Sequence, residues 1–80
     1  MPKFTLILEF RGGTYIRQLK AGSPKAALSK LAAGSDGKRK VFRALLDEHE
    51  VAIDGIANSW CSSASFQGRM ALVNIVKTAE

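Results

Sequence analysis

Apolar residues recur at every second position near both ends of the chain and at every third or fourth position in the middle. Period two marks a half-buried strand, and the helical period marks an amphipathic helix. The pattern therefore predicts strands outside and helices between. In "KFTLILEFRGGTYIRQLKA", residues 3–21, a two-residue Gly12-Gly13 loop would make a hairpin that pairs Arg11 with Thr14, Phe10 with Tyr15, Leu8 with Arg17, Leu6 with Leu19 and Phe4 with Ala21. One face then carries Phe4, Leu6, Leu8, Phe10, Tyr15 and Leu19; the other carries Thr5, Ile7, Glu9, Arg11, Thr14, Ile16, Gln18 and Lys20. Near the end, "SWCSSASFQGRMALVNIVKT" predicts a second hairpin around Gln67-Gly68, pairing Phe66 with Arg69, Ala64 with Ala71, Ser62 with Val73 and Trp60 with Ile75.

Between the hairpins, "GSPKAALSKLAAG" carries its own start and stop signals: Ser23 as N-cap, Pro24 at the first helical position, Gly34 just past the end. Ala27, Leu28, Leu31 and Ala32 form its apolar stripe. After the breaker "GSDG", Val41, Phe42, Leu45, Leu46 and His49 recur at helical spacing. The end of this second helix has two readings. A helix continuing to about Ile53 and capped by Gly55 is favoured by the register Phe42, Leu46, His49, Ile53. A stop near His49 followed by a tight hairpin on Asp54-Gly55 is favoured by the β-branched Val51 and Ile53. The expected fold is a small single α+β domain in the order β-β-α-α-β-β, with two hairpins forming an antiparallel sheet of about four strands under two helices on one face. The order of strands in that sheet is left open, and the Ser-rich strand over residues 59–66 is the expected unprotected edge.

Composition narrows the class. Eighty residues suit one domain with a modest core, and 46% apolar with 24% charged residues excludes a disordered chain. Cys61 is the only cysteine, so no disulfide framework forms within the chain. The apolar run at residues 4–8 is too short for a signal-peptide core, and no run approaches the ~20 residues of a membrane span. The expectation is a cytoplasmic protein without membrane contact.

Charge adds the functional question. The net charge of +5 divides unevenly: residues 1–43 hold ten Lys or Arg against Glu9 and Asp36, a balance of +8, while residues 44–80 hold two against five acids, a balance of −3. A basic half points to a polyanion or an acidic partner. Residues 34–50 also present their charges in an order that the helix dipole disfavours, cations first and carboxylates last. A helix start flanked by Lys38, Arg39, Lys40 and Arg43 is a competent anion site, for which Arg11, Arg17 and Lys20 would extend the surface. Asp36 would compete there with an incoming anion.

Other chemistry finds no support. The glycine spacing does not make a phosphate-binding Walker loop, and the serines lack a Gly-x-Ser-x-Gly elbow. Asp47, His49 and Asp54 match no metal spacing, and His49 is expected to be a helix histidine. Cys61 reads as a small half-buried strand residue rather than a nucleophile. Phe10 and Tyr15 fall on the apolar face and read as a core-edge pair, not a stacking platform. "RGGTYIRQLKAGSPKAALSKLA", about a quarter of the chain, resembles the hairpin-then-helix opening of HicB-type antitoxin domains, where a glycine and aromatic turn leads into a strand and an alanine-rich helix. It lacks their Pro-Glu-Leu-Pro-Gly-like segment, its final hairpin departs from their pattern, and the likeness implies local architecture only.

The expected function is that of a non-enzymatic binding or regulatory module without a cofactor, acting through a protein partner or self-association. The alternative is nucleic-acid or nucleoprotein binding through the basic N-terminal half.

Overall fold

The computed structural model describes residues 1–48, 51–52 and 57–79. Strands β1 (Lys3–Phe10) and β2 (Gly13–Lys20) form the first hairpin, and helices α1 (Pro24–Ala33) and α2 (Arg39–Leu46) follow. A two-residue strand β3 (Val51–Ala52) precedes the second hairpin, β4 (Ser59–Phe66) and β5 (Arg69–Ala79). The four long strands and two helices run in the order that the periodicity predicts.

The strand order is β2-β1-β5-β4-β3, with every pair antiparallel. The two hairpins are therefore joined through β1 and β5, the strands nearest the ends of the chain. Phe4, Leu6, Leu8 and Phe10 of β1, Ala71, Val73 and Ile75 of β5 and Ala64 of β4 are buried on one face. Ala27, Leu28 and Ala32 of α1 and Val41, Phe42 and Leu45 of α2 complete the core. Two aromatic pairs brace this layer: Phe4 with Trp60 at 6.0 Å and Phe10 edge-on to Phe66 at 5.8 Å. The second pair reaches across β5, where the small side chain of Ala71 leaves room.

The first hairpin differs in register from its prediction. Its turn residues are Arg11 and Gly12, so Phe10 faces Gly13, Leu8 faces Tyr15 and Phe4 faces Leu19. A slip of two residues keeps each side chain on its face, and alternation alone does not distinguish such registers. Local packing does: a Cβ on Gly13 would lie 2.8 Å from the phenol oxygen of Tyr15, so the tyrosine ring folds over this strand glycine. Arg11 (φ 55°) and Gly12 (φ 79°) both take the positive φ that a tight primed turn requires. The second hairpin has the predicted register, with Gln67 (φ 53°) and Gly68 (φ 75°) in the same conformation.

Helix α1 starts and stops at its signals: the Ser23 hydroxyl accepts from the Ala26 N–H at 3.1 Å, and the Gly34 N–H donates to the Lys30 carbonyl at 3.0 Å. Helix α2 ends at Leu46, and the favoured continuation to Ile53 is not what forms. Val51 and Ala52 are strand, pairing with Cys61 and Trp60. Burying backbone groups in a sheet ladder outweighs the helical register that these β-branched and small residues continue weakly. The alternative tight hairpin differs too, because β3 pairs with β4 and not with the residues just after Asp54-Gly55; residues 53–56 themselves lie outside the described residues, as does His49.

The edge expected at β4 stays open among the described residues over residues 62–66 only, and a second edge is added. β4 is covered at Trp60 and Cys61 by β3, whereas β2 forms the opposite edge along its whole length. That edge is partly blunted by cations: Arg17 Nη1 donates to the Ile16 carbonyl at 3.1 Å and Lys30 Nζ to the Lys20 carbonyl at 2.7 Å.

Gln67 holds a left-handed conformation that Asn tolerates better. Gln67→Asn is expected to raise stability by about 0.5 kcal/mol and Gln67→Val to lower it by about 1 kcal/mol or more, read as shifts of the urea midpoint at constant slope.

Candidate anion-binding groove

Tyr15 and Arg17 lie two residues apart on the helix-facing side of β2, and both reach the loop that opens α2. Arg17 grips Asp36 with two nitrogens, Nε to Oδ2 at 2.5 Å and Nη2 to Oδ1 at 3.3 Å. The same carboxylate accepts the Lys38 N–H at 2.8 Å, and the Asp36 carbonyl accepts the Arg39 N–H at 3.0 Å. The Lys38 ammonium lies 4.5 Å above the Tyr15 ring centroid, within cation–π range. Edge strand and interhelical loop are thus fastened at two adjacent points.

This geometry revises the charge order of residues 34–50. A carboxylate does lie beside the helix start: Asp36 accepts the N–H of Lys38, the residue just before α2, and complements the dipole. An anion approaching this helix start therefore meets a carboxylate of the chain itself. Hydrogen bonding from Arg17, assisted by the Lys38 N–H and opposed by partial burial, holds the Asp36 carboxyl below its ordinary pKa. At the other end Asp47 is the C-cap, its N–H donating to the Arg43 carbonyl at 3.3 Å.

What remains for an external anion is side-chain charge. Arg11 at the first hairpin turn and Lys38, Arg39 and Lys40 at the start of α2 line one groove of about 350 Å³, with Phe10 and Phe66 on its apolar side. Arg39 and Lys40 also line an adjoining hollow of about 430 Å³ that includes Arg43 and Asp47. Among the described residues, no carboxylate lies within ion-pair distance of Arg11, Arg39, Lys40 or Arg43. Five of the seven predicted cations therefore gather around two joined hollows, with Arg43 beside its neighbour Asp47. The other two do not join them. Arg17 is committed to Asp36, and Lys20 belongs to the far end of β2, opposite Lys3.

Two roles escaped the sequence reading. Tyr15 serves as the seat of Lys38, and Asp36 as an anchor rather than only a competitor. The Asp three residues before the helix is the signal for the second; nothing local signals the first, because it depends on hairpin register. In β4 the buried Ser62 hydroxyl donates to the Leu45 carbonyl at 3.3 Å, which ties the end of α2 to the sheet and explains one serine in a strand of poor strand formers.

Phe10 is buried, as a core-edge residue should be, and Cys61 is half-buried on β4. Among the described residues there is no group of three metal-ligating side chains, and no helix is long and apolar enough to cross a membrane. Comparison with protein-family models, curated proteins and solved structures finds no match to this chain.

Because the Asp36 carboxyl is more acidic folded than unfolded, its contribution is complete above the unfolded carboxylate value, near pH 4, and is lost as pH falls through the lower folded value. Asp36→Asn is expected to cost about 1 kcal/mol at pH 7, the size of a cap with a partly exposed ion pair. The difference from the parent protein should shrink on acidification below pH ~4, measured by denaturant unfolding across pH.

Proposed function

We propose that the protein is a small non-enzymatic binding module whose groove takes the phosphate backbone of a nucleic acid. The observation that carries this reading is the convergence of Arg11 with Lys38, Arg39 and Lys40, cations from two distant segments, on one hollow. Holding like charges together on a surface is unfavourable unless an anion neutralises them, and phosphate oxygens suit both guanidinium and ammonium groups. Lys38 is preplaced by Tyr15, and Arg17 with Asp36 holds the loop that carries it. That order lowers the cost of fixing side chains on binding.

The aromatic groups at the site argue for contact with the backbone and not with bases. Phe10 is buried against Phe66, and the Tyr15 ring is taken by Lys38. Stacking needs a free ring face. Binding is therefore expected to be nearly indifferent to base sequence. A partner at the β4 edge loses part of its support because β3 pairs there; partner binding keeps another surface, the face of the sheet opposite the helices.

With about four phosphate contacts, log Kd should change with log salt by a slope of magnitude about 3 to 4. This corresponds to a roughly hundredfold loss of affinity between about 50 and 200 mM salt, measured by fluorescence anisotropy with labelled duplex and single-stranded oligonucleotides. Replacing Arg39 and Lys40 together by Glu should abolish binding without unfolding the chain, because both side chains are exposed. Absence of binding by the parent protein at low salt, or a sequence preference of tenfold or more, would overturn this reading.

A further inference from the structure

The cationic groove has two walls, and they come from different parts of the fold. The tips of both hairpins stand at one end of the sheet, because Phe10 pairs with Ala71 and Phe66 with Arg69. They form one wall, which carries Arg11; the loop and first turn of α2 form the other, which carries Lys38, Arg39 and Lys40. Phe10 and Val41, both buried, and the half-buried Phe66 lie deepest and make an apolar floor between the walls. Arg39, Lys40 and Phe66 also line the adjoining hollow with Arg43, so cations and floor continue from one hollow into the next. A groove of this form differs from a basic patch on a convex surface, where every charge points the same way.

We infer that the strand held here is a single one, an inference that rests on the phosphate reading above and narrows its partner to unpaired nucleic acid. Room and direction both select it over a duplex. The inner hollow of about 350 Å³ stands at the small end of the range for small-molecule sites, about 300 to 1,000 Å³. It admits the sugar-phosphate units of one strand, whereas a duplex holds its two phosphate rows apart across grooves about 6 and 12 Å wide. The phosphates of a duplex also face outward on a rod with a persistence length of about 150 base pairs. One such row lies along one wall and leaves the other without an anion. A single strand is flexible enough to enter between the walls and turn successive phosphates toward Arg11 and toward the α2 cations. Its sugars then rest against Phe66, and its bases point to solvent, since Phe10 is buried and the Tyr15 ring carries Lys38. Arg11, alone among the predicted cations on the hairpin wall, is the residue that distinguishes the two forms of nucleic acid.

Fluorescence anisotropy at about 50 mM salt should show a labelled oligothymidylate of about 20 nucleotides bound at least about tenfold more tightly than a duplex of the same length. Arg11→Asn keeps the turn, because Asn tolerates the positive φ that Arg11 holds at 55°. It should weaken oligothymidylate binding about fivefold and lower the magnitude of its salt slope by about 0.7, one phosphate contact on a single strand, while duplex binding changes by less than about twofold. A duplex bound as tightly as the single strand overturns the inference and leaves the phosphate reading standing. So does an equal loss on both forms from Arg11→Asn. Binding to neither form at low salt overturns the phosphate reading itself and this inference with it, so the two failures are distinct.

Discussion

The antiparallel pairing of β1 with β5 carries the rest of the structure. It joins Lys3 to Ala79 at one end and Phe10 to Ala71 at the other, almost the full length of the chain apart in sequence. Each hairpin alone would expose its apolar face, and an isolated hairpin is marginal in water. Once joined, Leu6, Leu8, Val73 and Ile75 form a continuous buried strip wide enough to receive both helices. The entropy of closing so long a loop opposes this step, so its stability must come from the side chains it buries, helped by helices that dock on the strip and tie back to it through Ser62 and the Leu45 carbonyl.

Because β1 and β5 occupy the middle, β2 is left at the edge, and the layout of the cationic groove follows from that. An edge strand has helix cover on only part of its inner side. Tyr15, packed at the margin of the core, and Arg17 reach the interhelical loop there and hold Lys38 and Asp36. The loop fixes the start of α2, and the start of α2 brings Arg39 and Lys40 beside Arg11. Arg17 serves a second end by donating to the Ile16 carbonyl, which leaves fewer acceptors for a stray strand. One guanidinium thus anchors a loop and dulls an edge.

The two faces of the sheet divide the remaining work. The helix side spends its large apolar side chains on the core, and its charged loops project beyond them. The opposite side keeps a shorter apolar set with no described layer above it.

Local periodicity was enough to set the number and kind of the main elements, the faces of the long strands, the caps of α1 and the turn of the second hairpin, since each depends on neighbours within a few residues. It located the cations but could not say which would act together. Arg11 and Lys38 are far apart in the chain, Arg17 and Asp36 are joined only once β2 meets the loop, and a register slip of two residues is invisible to alternation. The end of α2 turned on the same difference: Val51 and Ala52 had a helical register to continue, but only the assembled sheet offered them the strand partners Cys61 and Trp60. The sequence by itself determined which groups are apolar, charged or turn-forming, because these are properties of single residues and their near neighbours. Tertiary structure decided which edges stay open and which charges are neutralised, because both depend on contacts that exist only after distant segments have packed.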